Sequence, residues 1–537
     1  MTSRAKSSEK HKKIKNKKWL TGLIFQRFVV ILLILLQLAI LIFLISSGSR
    51  KYTWVSITLT VVSLLIVLSI IPKNEKGAYK FTWAIFILVF PVFGGLFYLF
   101  FHIESGTNRF KNKLKEADEA YKKYFLSRGN FLPGIYQTQC NEKNIKLMKY
   151  LHNFAGYPVF PDSDCKYLKI GEEYFEEMLS ELKKAEKYIF LEYFILSEGY
   201  MWDALFEVLR EKAAAGVDVR LIYDDVGCFL RLPKNFAKEL SKHKIKAVAF
   251  NAIHPMLTTK QNNRDHRKIT VIDGKVAFTG GINIADEYIN HIERFGHWKD
   301  AGIKIEGAAV WSFVLFFLQM WFYCTKERED DLSRFYPDNL LQSRSELSEC
   351  NTDGLVQPYA DSPADKENVG EHVYLEVIGS SKKYLYITTP YLIIDDTMLS
   401  ALKLAAKSGV DVVIITPHIW DKRLVHFTTQ SYYRELIEAG VKIFEYTPGF
   451  IHSKIFVSDD SVATVGTTNM DFRSLYLHFE CGAVIYDKNT IADIKDDFLE
   501  TLKESQQISI EQCKKSFPVR LIPVSYTHLR AHETLAN

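Results

Sequence analysis

An α/β fold of two similar lobes sharing one active site, behind transmembrane helices, is what this sequence predicts, and three observations predict it. The residues His266, Lys268, Asp273, Gly280 and Asn283 recur at the same spacing, 186 positions later, as His452, Lys454, Asp459, Gly466 and Asn469. Around each set, apolar β-rich runs alternate with amphipathic helical patterns. Ahead of both, residues 19–104 are largely hydrocarbon.

At 537 residues the chain exceeds one hydrophobic core, and its 47% hydrophobic share is ordinary for a globular protein. The distribution is uneven. Residues 1–18 carry Arg4, Lys6, Lys10, Lys12, Lys13, Lys15, Lys17 and Lys18 against Glu9, which reads as a basic cytosolic tail. Three apolar stretches, 28–45, 54–71 and 81–101, hold no charge and have the length of bilayer-spanning helices, so 19–104 is expected to be a membrane anchor of two to three transmembrane helices. The first run is too long for a signal peptide and no small-residue cleavage site follows it. Three spans would put the tail and the downstream part on opposite faces, yet Arg109, Lys111, Lys113 and Lys115 argue for a cytosolic start to that part as well. Pro91, Gly94 and Gly95 mark the third stretch as the one that would kink or re-enter. The expected location is the cell membrane, multi-pass, with a cytosolic catalytic part. With that anchor and a net charge of only +5, nucleic acid is not the expected partner.

Next comes a connecting segment, 105–165, and then a first lobe over 166–325. The run KYIFLEYFIL from Lys187 is matched in a second lobe, 371–523, by KYLYITTPYLI from Lys383, and Ala215-Gly216-Val217-Asp218-Val219 by Ser408-Gly409-Val410-Asp411-Val412. Each pair reads as a helix end, a glycine stop and a buried strand. Between the lobes, 326–370 loses periodicity and gains charge, Pro and Ser, and is predicted to be a linker. The greasy stretch 308–324 (AAVWSFVLFFLQMWFYC) mimics another span, but a span there would part the two motifs, so a buried helix at the lobe interface is expected. Cys140, Cys165, Cys228, Cys324, Cys350, Cys481 and Cys513 show no metal-ligand spacing and read as free thiols.

In HRKITVIDGKVAFTGGIN and HSKIFVSDDSVATVGTTN, alternation after each His predicts a strand, a turn at Asp273-Gly274 or Asp459-Asp460, and a return strand ending at Gly and Asn. The hairpin would bring His, Lys and Asn together. Lysine supplies fixed charge, asparagine an amide donor, and glycine room for a phosphate to approach the backbone. One copy would suffice to bind an anion. Two copies facing each other supply a nucleophile on one side of phosphorus and an acid on the other. A neutral imidazole would attack while a protonated one donates to the departing alkoxide, with roles reversing for the acceptor. No cofactor or metal is called for. Surface residues of a merely structural repeat would not keep His, Lys and Asn together while the intervening apolar residues drift.

On these residues the chain resembles the phospholipase D superfamily with its paired HxKxxxxD motifs, and within it the bacterial cardiolipin synthases, from about residue 79 to 521. Supporting pieces are Pro91, Gly94, Gly95 and Tyr98, NNRDHRKI before the first motif, and GFIHSKIFVSDD with GTTNMDFRS in the second. The resemblance implies a duplicated phospholipase D-like sandwich. It makes His266, Lys268, Asp273, His452, Lys454 and Asp459 the catalytic motif residues, with His266 as nucleophile and His452 as general acid and base. Lys268, Asn283, Lys454 and Asn469 would bind the substrate phosphate. Asp273 and Asp459 look structural in the family, and the carboxylates that orient the histidines map to Asp300 in HWKDAG and Glu480 in HFECGA. The implied reaction moves a phosphatidyl group from one phosphatidylglycerol to the glycerol headgroup of another, giving cardiolipin and glycerol through a phosphohistidine. Anionic membrane lipid is the implied partner. Phe229, Leu230, Leu232, Ile419, Trp420 and Leu424, mixed with Arg231, Lys422 and Arg423, would rest on such a surface unless they pack as ordinary loops.

Two departures stand out. Gly281 takes the place of Thr467, so a hydroxyl within reach of phosphate is expected on one side only, and 524–537 (VSYTHLRAHETLAN) is polar and reads as a non-native or disordered tail. Two other functions fit part of the pattern: a membrane-anchored phospholipase D that uses water as acceptor, and a catalytically silent scaffold for anionic lipid, against which the intact second motif weighs.

Overall fold

A computed structural model of the chain describes residues 50–73, 77–90, 94–95, 98, 105–127, 144–161, 163–252, 262–337, 354–364 and 367–513. The basic tail, the apolar stretch 28–45, Pro91, Cys140, Cys350 and the terminal stretch 524–537 lie outside the described residues. Two compact units divide the chain: Met1–Phe110, Ile253–Asn262 and Ser525–Asn537 form one, and Lys111–Ala252 with Asn263–Val524 the other.

In the first unit, helix α1 (Arg50–Ile70) packs on helix α2 (Gly77–Val89) through Val67, Ile70, Trp83 and Ile87. Tyr98 closes this cluster edge-on to Trp83, with ring centroids 5.1 Å apart. Gly94 is needed for that closure, because a Cβ there would sit 2.8 Å from Ile87 Cα. The polarity of the surface is reversed relative to a water-soluble hairpin: Ser63 is buried, whereas Leu64, Leu65 and Leu68 are about half exposed. Among the described residues no helix is long and apolar enough to cross a membrane.

The second unit holds the duplicated α/β architecture. The first lobe contributes β1 (Ser163–Leu168), β2 (Tyr188–Tyr193), β3 (Asp218–Asp224), β4 (Lys246–Phe250), β5 (Arg264–Asp265), β6 (Lys268–Ile272), β7 (Val276–Gly280), β8 (His297–Lys299) and β9 (Gly302–Gly307). Its sheet runs β1-β9-β7-β6-β2-β3-β4, with β2, β3 and β4 parallel and the other neighbours antiparallel. The second lobe contributes β10 (Val356–Asp361), β11 (Tyr384–Thr388), β12 (Leu392–Ile393), β13 (Asp411–Pro417), β14 (Lys442–Tyr446), β15 (Gly449–Ile451), β16 (Ile455–Ser458), β17 (Val462–Gly466), β18 (Met470–Asp471), β19 (His478–Ile485) and β20 (Ser505–Gln507). Its sheet runs β10-β19-β17-β16-β11-β13-β14-β20. Order and direction repeat the first lobe strand for strand, with β20 added at the far edge.

Both faces of the first sheet are covered, which is why β2 is buried along its whole length and reads as apolar without alternation save for Glu192. Ile189, Leu191 and Tyr193 face the core with Tyr174, Phe175 and Met178 of helix α3 (Gly171–Leu182), whose apolar residues recur on one helical stripe. Phe190 points the other way and stacks on Phe317 of helix α4 (Val310–Thr325) at 4.4 Å between centroids. That helix covers β2, β4, β6, β7 and β9 and also meets β10 of the second lobe. Each of its fully buried large side chains contributes about 1.5–3 kcal/mol, so its greasiness is accounted for by packing at the junction of the two sheets.

The linker is shorter than the sequence suggests. β10 lies inside the stretch 326–370, where it pairs antiparallel with β19 and is bridged by Phe160 on its outer side. Its Pro358 and the polar residues around it mask the strand pattern, which fits a position at the margin of a sheet. At the other end, Ser163–Cys165 belong to β1 rather than to the connecting segment. Five cysteines, Cys165, Cys228, Cys324, Cys481 and Cys513, are free thiols.

Candidate active site

Two short parallel pairings join the lobes. β5 of the first lobe lies along His478 and Phe479 at the start of β19, and β15 of the second lies along β8 of the first. His266 follows β5 and its backbone N–H donates to Phe479 O at 2.9 Å; His452 follows β15 and donates to Lys299 O at 2.7 Å. The residue after each acceptor is a carboxylate, Glu480 or Asp300. Each histidine therefore sits beside the acid of the opposite lobe, with His266 Nδ1 3.0 Å from Glu480 Oε2 and His452 Nδ1 2.6 Å from Asp300 Oδ2.

This crossing fixes the tautomers. A carboxylate accepts hydrogen bonds only, so each Nδ1 carries the proton and each Nε2 keeps its lone pair. Both pairs are buried, the acids fully. Burial pushes Asp300 up, but the neighbouring His452 and Lys454 outweigh it and hold its carboxyl below the usual range.

The cations crowd each other. Burial, then Lys268, Lys454 and His452, press His266 well below the ordinary imidazole value. Burial and Lys454 bring His452 down to about 4 against the pull of Asp300. Burial likewise lowers Lys268 to about 8 and Lys454 to about 7. Each lysine bonds back to its own motif: Lys268 Nζ donates to His266 O at 2.5 Å, and Lys454 Nζ donates to His452 O and lies 2.9 and 3.1 Å from His452 Nδ1 and Nε2. An anion placed among these groups would raise all four, which makes the site selective for negative charge.

Asp273 and Asp459 stand apart from this chemistry. Asp273 ends β6, at the opposite end from Lys268, and accepts backbone N–H bonds from Glu186, Lys187 and Tyr188, each at 2.7 Å. Asp459 does the same for Lys382, Lys383 and Tyr384 at 2.7 to 2.8 Å. Both adopt positive φ at the hairpin turn, +54° and +53°, a conformation that aspartate tolerates better than most residues. Their side chains pin the hairpin to the strand beside it.

The asparagines differ. Asn283 Oδ1 accepts from Ile195 N at 3.0 Å and its Nδ2 donates to Tyr288 Oη at 2.7 Å, which leaves one amide hydrogen for a ligand. Asn469 is buried, and its Oδ1 has no hydrogen-bond partner. The Gly281–Thr467 difference also has a different meaning from the one its sequence suggests. Thr467 Oγ1 donates to Glu480 Oε2 at 2.5 Å, bracing the orienting acid rather than facing phosphate. At Gly281 a Cβ would lie 2.0 Å from Asp300 Oδ1, so no side chain fits.

Sequence reasoning missed the walls of the site. Tyr288, Trp298 and Phe450 ring His452 at centroid distances of 5.5, 5.3 and 5.8 Å, while Phe194 and His478 flank His266 at 5.0 and 5.5 Å. Trp298 and His478 were findable, since each stands two residues before its carboxylate, in HWKD and LHFE. Arg267, also missed, is buried between the lobes, where its Nε donates to Glu480 O at 3.3 Å and its Nη2 to Asp361 O at 3.4 Å.

Comparison with known proteins finds relatives of both lobes. Residues 178–294 and 374–502, one block in each lobe, match the family described as cardiolipin synthase, PLD-like domain, and residues 58–101 match the phospholipase D-nuclease N-terminal family. The chain is 37% identical over 485 residues to a cardiolipin synthase of Alkalihalophilus pseudofirmus, covering 88% of this chain and 93% of that protein. It is 45% identical over 434 residues to an uncharacterized protein of Streptococcus mutans, covering 81% and 92%. A phosphatidylserine synthase structure from Haemophilus influenzae shares the fold, with a TM-score of 0.54 and 16% identity over 72% of this chain and 97% of that one.

Proposed function

The chain belongs to the cardiolipin synthases of the phospholipase D-like family and is a phosphatidyltransferase of phospholipid biosynthesis; from that premise we propose that it joins two phosphatidylglycerol molecules through a phosphohistidine on His266. The observation that carries this reading is the crossed pairing of His266 with Glu480 and His452 with Asp300, which leaves two Nε2 lone pairs in one buried, cationic site.

The phosphodiester of the first lipid lies among Lys268, Lys454, Asn283 and Asn469, and its charge restores the protons that burial disfavours on the lysines and on His452. His266 Nε2 attacks phosphorus and the bond to the glycerol headgroup breaks. His452 gives its proton to the departing glycerol oxygen. The headgroup hydroxyl of a second phosphatidylglycerol then attacks phosphorus, its proton passes to His452, the P–N bond breaks, and cardiolipin leaves. One phosphodiester is broken and one formed, so no nucleotide is consumed.

Access to lipid comes from two features. The outward leucines of α1 suit hydrocarbon, and we read residues 19–104 as a membrane anchor of the cell membrane with the catalytic unit on the cytosolic side. Around the site, the loops after β3 and β13 and the loop before β8 expose Leu230, Trp420 and Ile292 beside Arg231, Lys422 and Arg294. Arg231 and Arg294 share Glu287, at 2.8 and 3.0 Å, next to Tyr288. Leu232, by contrast, is buried and packs in the core.

Purified protein given phosphatidylglycerol labelled in its headgroup and acyl chains tests the reading. Cardiolipin with free glycerol in equal amounts supports it. Phosphatidic acid in place of cardiolipin would show water as the acceptor, and unchanged lipid would remove catalysis altogether.

A further inference from the structure

The two half-sites differ at one matched position. Trp298, two residues before Asp300, walls His452, and His478, two residues before Glu480, walls His266. The tryptophan offers no lone pair to a metal ion, whereas the histidine carries two ring nitrogens. Neither ring nitrogen of His478 has a hydrogen-bond partner although its side chain is only 10% exposed, and Glu480 Oε1, 3.7 Å from His478 Nδ1, has none either. Leaving such groups unpaired in a buried place is costly, which argues for an occupant.

We propose that His266, His478 and Glu480 form a binding site for a divalent transition-metal ion, Zn2+ being the natural fit, and that its occupation silences His266. One donor atom from each residue lies within 4.8 Å of the others. Tetrahedral zinc with bonds of about 2.0–2.1 Å holds its ligand atoms about 3.4 Å apart, so small side-chain rotations close the set. Two imidazoles and a carboxylate suit zinc rather than magnesium or calcium.

Silencing follows from the tautomer and rests on His266 being the nucleophile. Zinc at Nε2 occupies the attacking lone pair itself. Zinc at Nδ1 displaces the hydrogen bond to Glu480 and moves the ring's proton to Nε2, which removes the same lone pair. Either way the imidazole cannot attack phosphorus. The half-site of His452 has Trp298 where the third ligand would be and cannot be blocked in this way.

The test uses the full chain in lipid nanodiscs with zinc chloride. Zinc should lower cardiolipin formation at least about tenfold, excess chelator should restore it, and His478→Asn, or His478→Gln if the first folds poorly, should need at least about tenfold more zinc for half inhibition, each protein being compared with its own zinc-free rate. Calorimetry on His452→Ala, which lacks the acid and keeps all three ligands, should still show one zinc bound, with that affinity falling by the same factor when His478→Asn is added. Equal inhibition of the His478 variant and the parent, or no zinc bound to His452→Ala, overturns the site. Absence of cardiolipin without zinc would instead count against the proposed function, and the calorimetry would decide the site by itself.

Discussion

His452 in the second lobe bonds through Nδ1 to Asp300 in the first, 2.6 Å away, and the reciprocal bond joins His266 to Glu480. Neither lobe pairs its own motif histidine with its own orienting acid. Each histidine is oriented only when β15 lies along β8 and β5 along β19, so the duplicated halves make one catalytic unit.

Asp300→Asn should therefore cost about 10⁴-fold in kcat, the scale seen when the acid of a Ser-His-Asp triad becomes an amide. An amide can donate to Nδ1, which drives the imidazole proton to Nε2 and removes the base. Glu480→Gln should fall by a comparable factor. Turnover of labelled phosphatidylglycerol reads both, and a loss below tenfold in either variant would contradict the orienting role.

Gly281→Ala should be more damaging than its size suggests. The new Cβ would occupy space now held by Asp300 Oδ1, pushing that carboxylate off His452. A fall in kcat of at least about 100-fold with little change in thermal stability is expected. Thr467→Val should be milder, since it removes one of two hydrogen bonds to Glu480 Oε2 and leaves His266 in place. Full activity in Gly281→Ala would mean that Asp300 can move without consequence.

Lys454 predicts the alkaline limb of activity and a stability effect of opposite value to the protein. Its amine, held at about 7, must be charged to grip phosphate, so kcat/KM for phosphatidylglycerol should be sustained below pH 7 and fall as pH rises through it. For stability the sign follows from the unfolded chain, where lysine stays protonated up to about 10.4. Below pH 7 the amine is charged in both states and the full cost of burying it is felt. Between 7 and about 10.4 the unfolded chain binds the extra proton, and the cost shrinks with rising pH. Lys454→Met should thus raise the unfolding midpoint most at pH 6 and least at pH 10, while abolishing turnover.

How much of this was legible follows from what a repeat can encode. The recurrence of His266-Lys268 as His452-Lys454 reveals the candidate reacting groups, and HWKD and HFEC hold the acids that the structure sets beside them. Pairing across lobes was not legible, because it depends on β5 and β8, strands of two and three residues whose partners lie far away in sequence. β10 was hidden by Pro358 and a polar neighbourhood. The contact of Thr467 with Glu480 was misread because a hydroxyl beside a phosphate motif has two equally good partners until the strands are placed. Stretches whose burial is set by a distant sheet, such as α4, were legible only through the constraint that both motifs serve one site.

A covalent intermediate should be trappable on His266. Mixing enzyme with phosphatidylglycerol radiolabelled at phosphorus and stopping within one turnover should leave label on the protein that is released by acid, as expected of a phosphoramidate. His266→Ala should show none. Label on the peptide containing His452 would reverse the two roles while leaving the crossed pairing intact.

The exposed rim separates interfacial from chemical defects. Trp420 and Leu424 are 45% and 43% exposed, and the segment that bears them packs against the loop before β8, where a Cβ added at Gly296 would lie 3.0 Å from Ile419 Cδ1. Lys422 of the same segment is close enough to contribute to the lowering of His266. Apolar tips among cations at the entrance are the composition that settles on an anionic bilayer, where each side chain gains from leaving water and each cation from the surface potential. Trp420→Ala with Leu424→Ser should reduce turnover of long-chain phosphatidylglycerol in bilayers at least about tenfold, since the two apolar side chains together account for roughly 1.5 kcal/mol or more of transfer energy. Turnover of a short-chain phosphatidylglycerol dissolved as monomers should stay within about twofold, because no residue that touches phosphate has changed. Equal losses on both substrates would place these residues in the site itself rather than on the membrane.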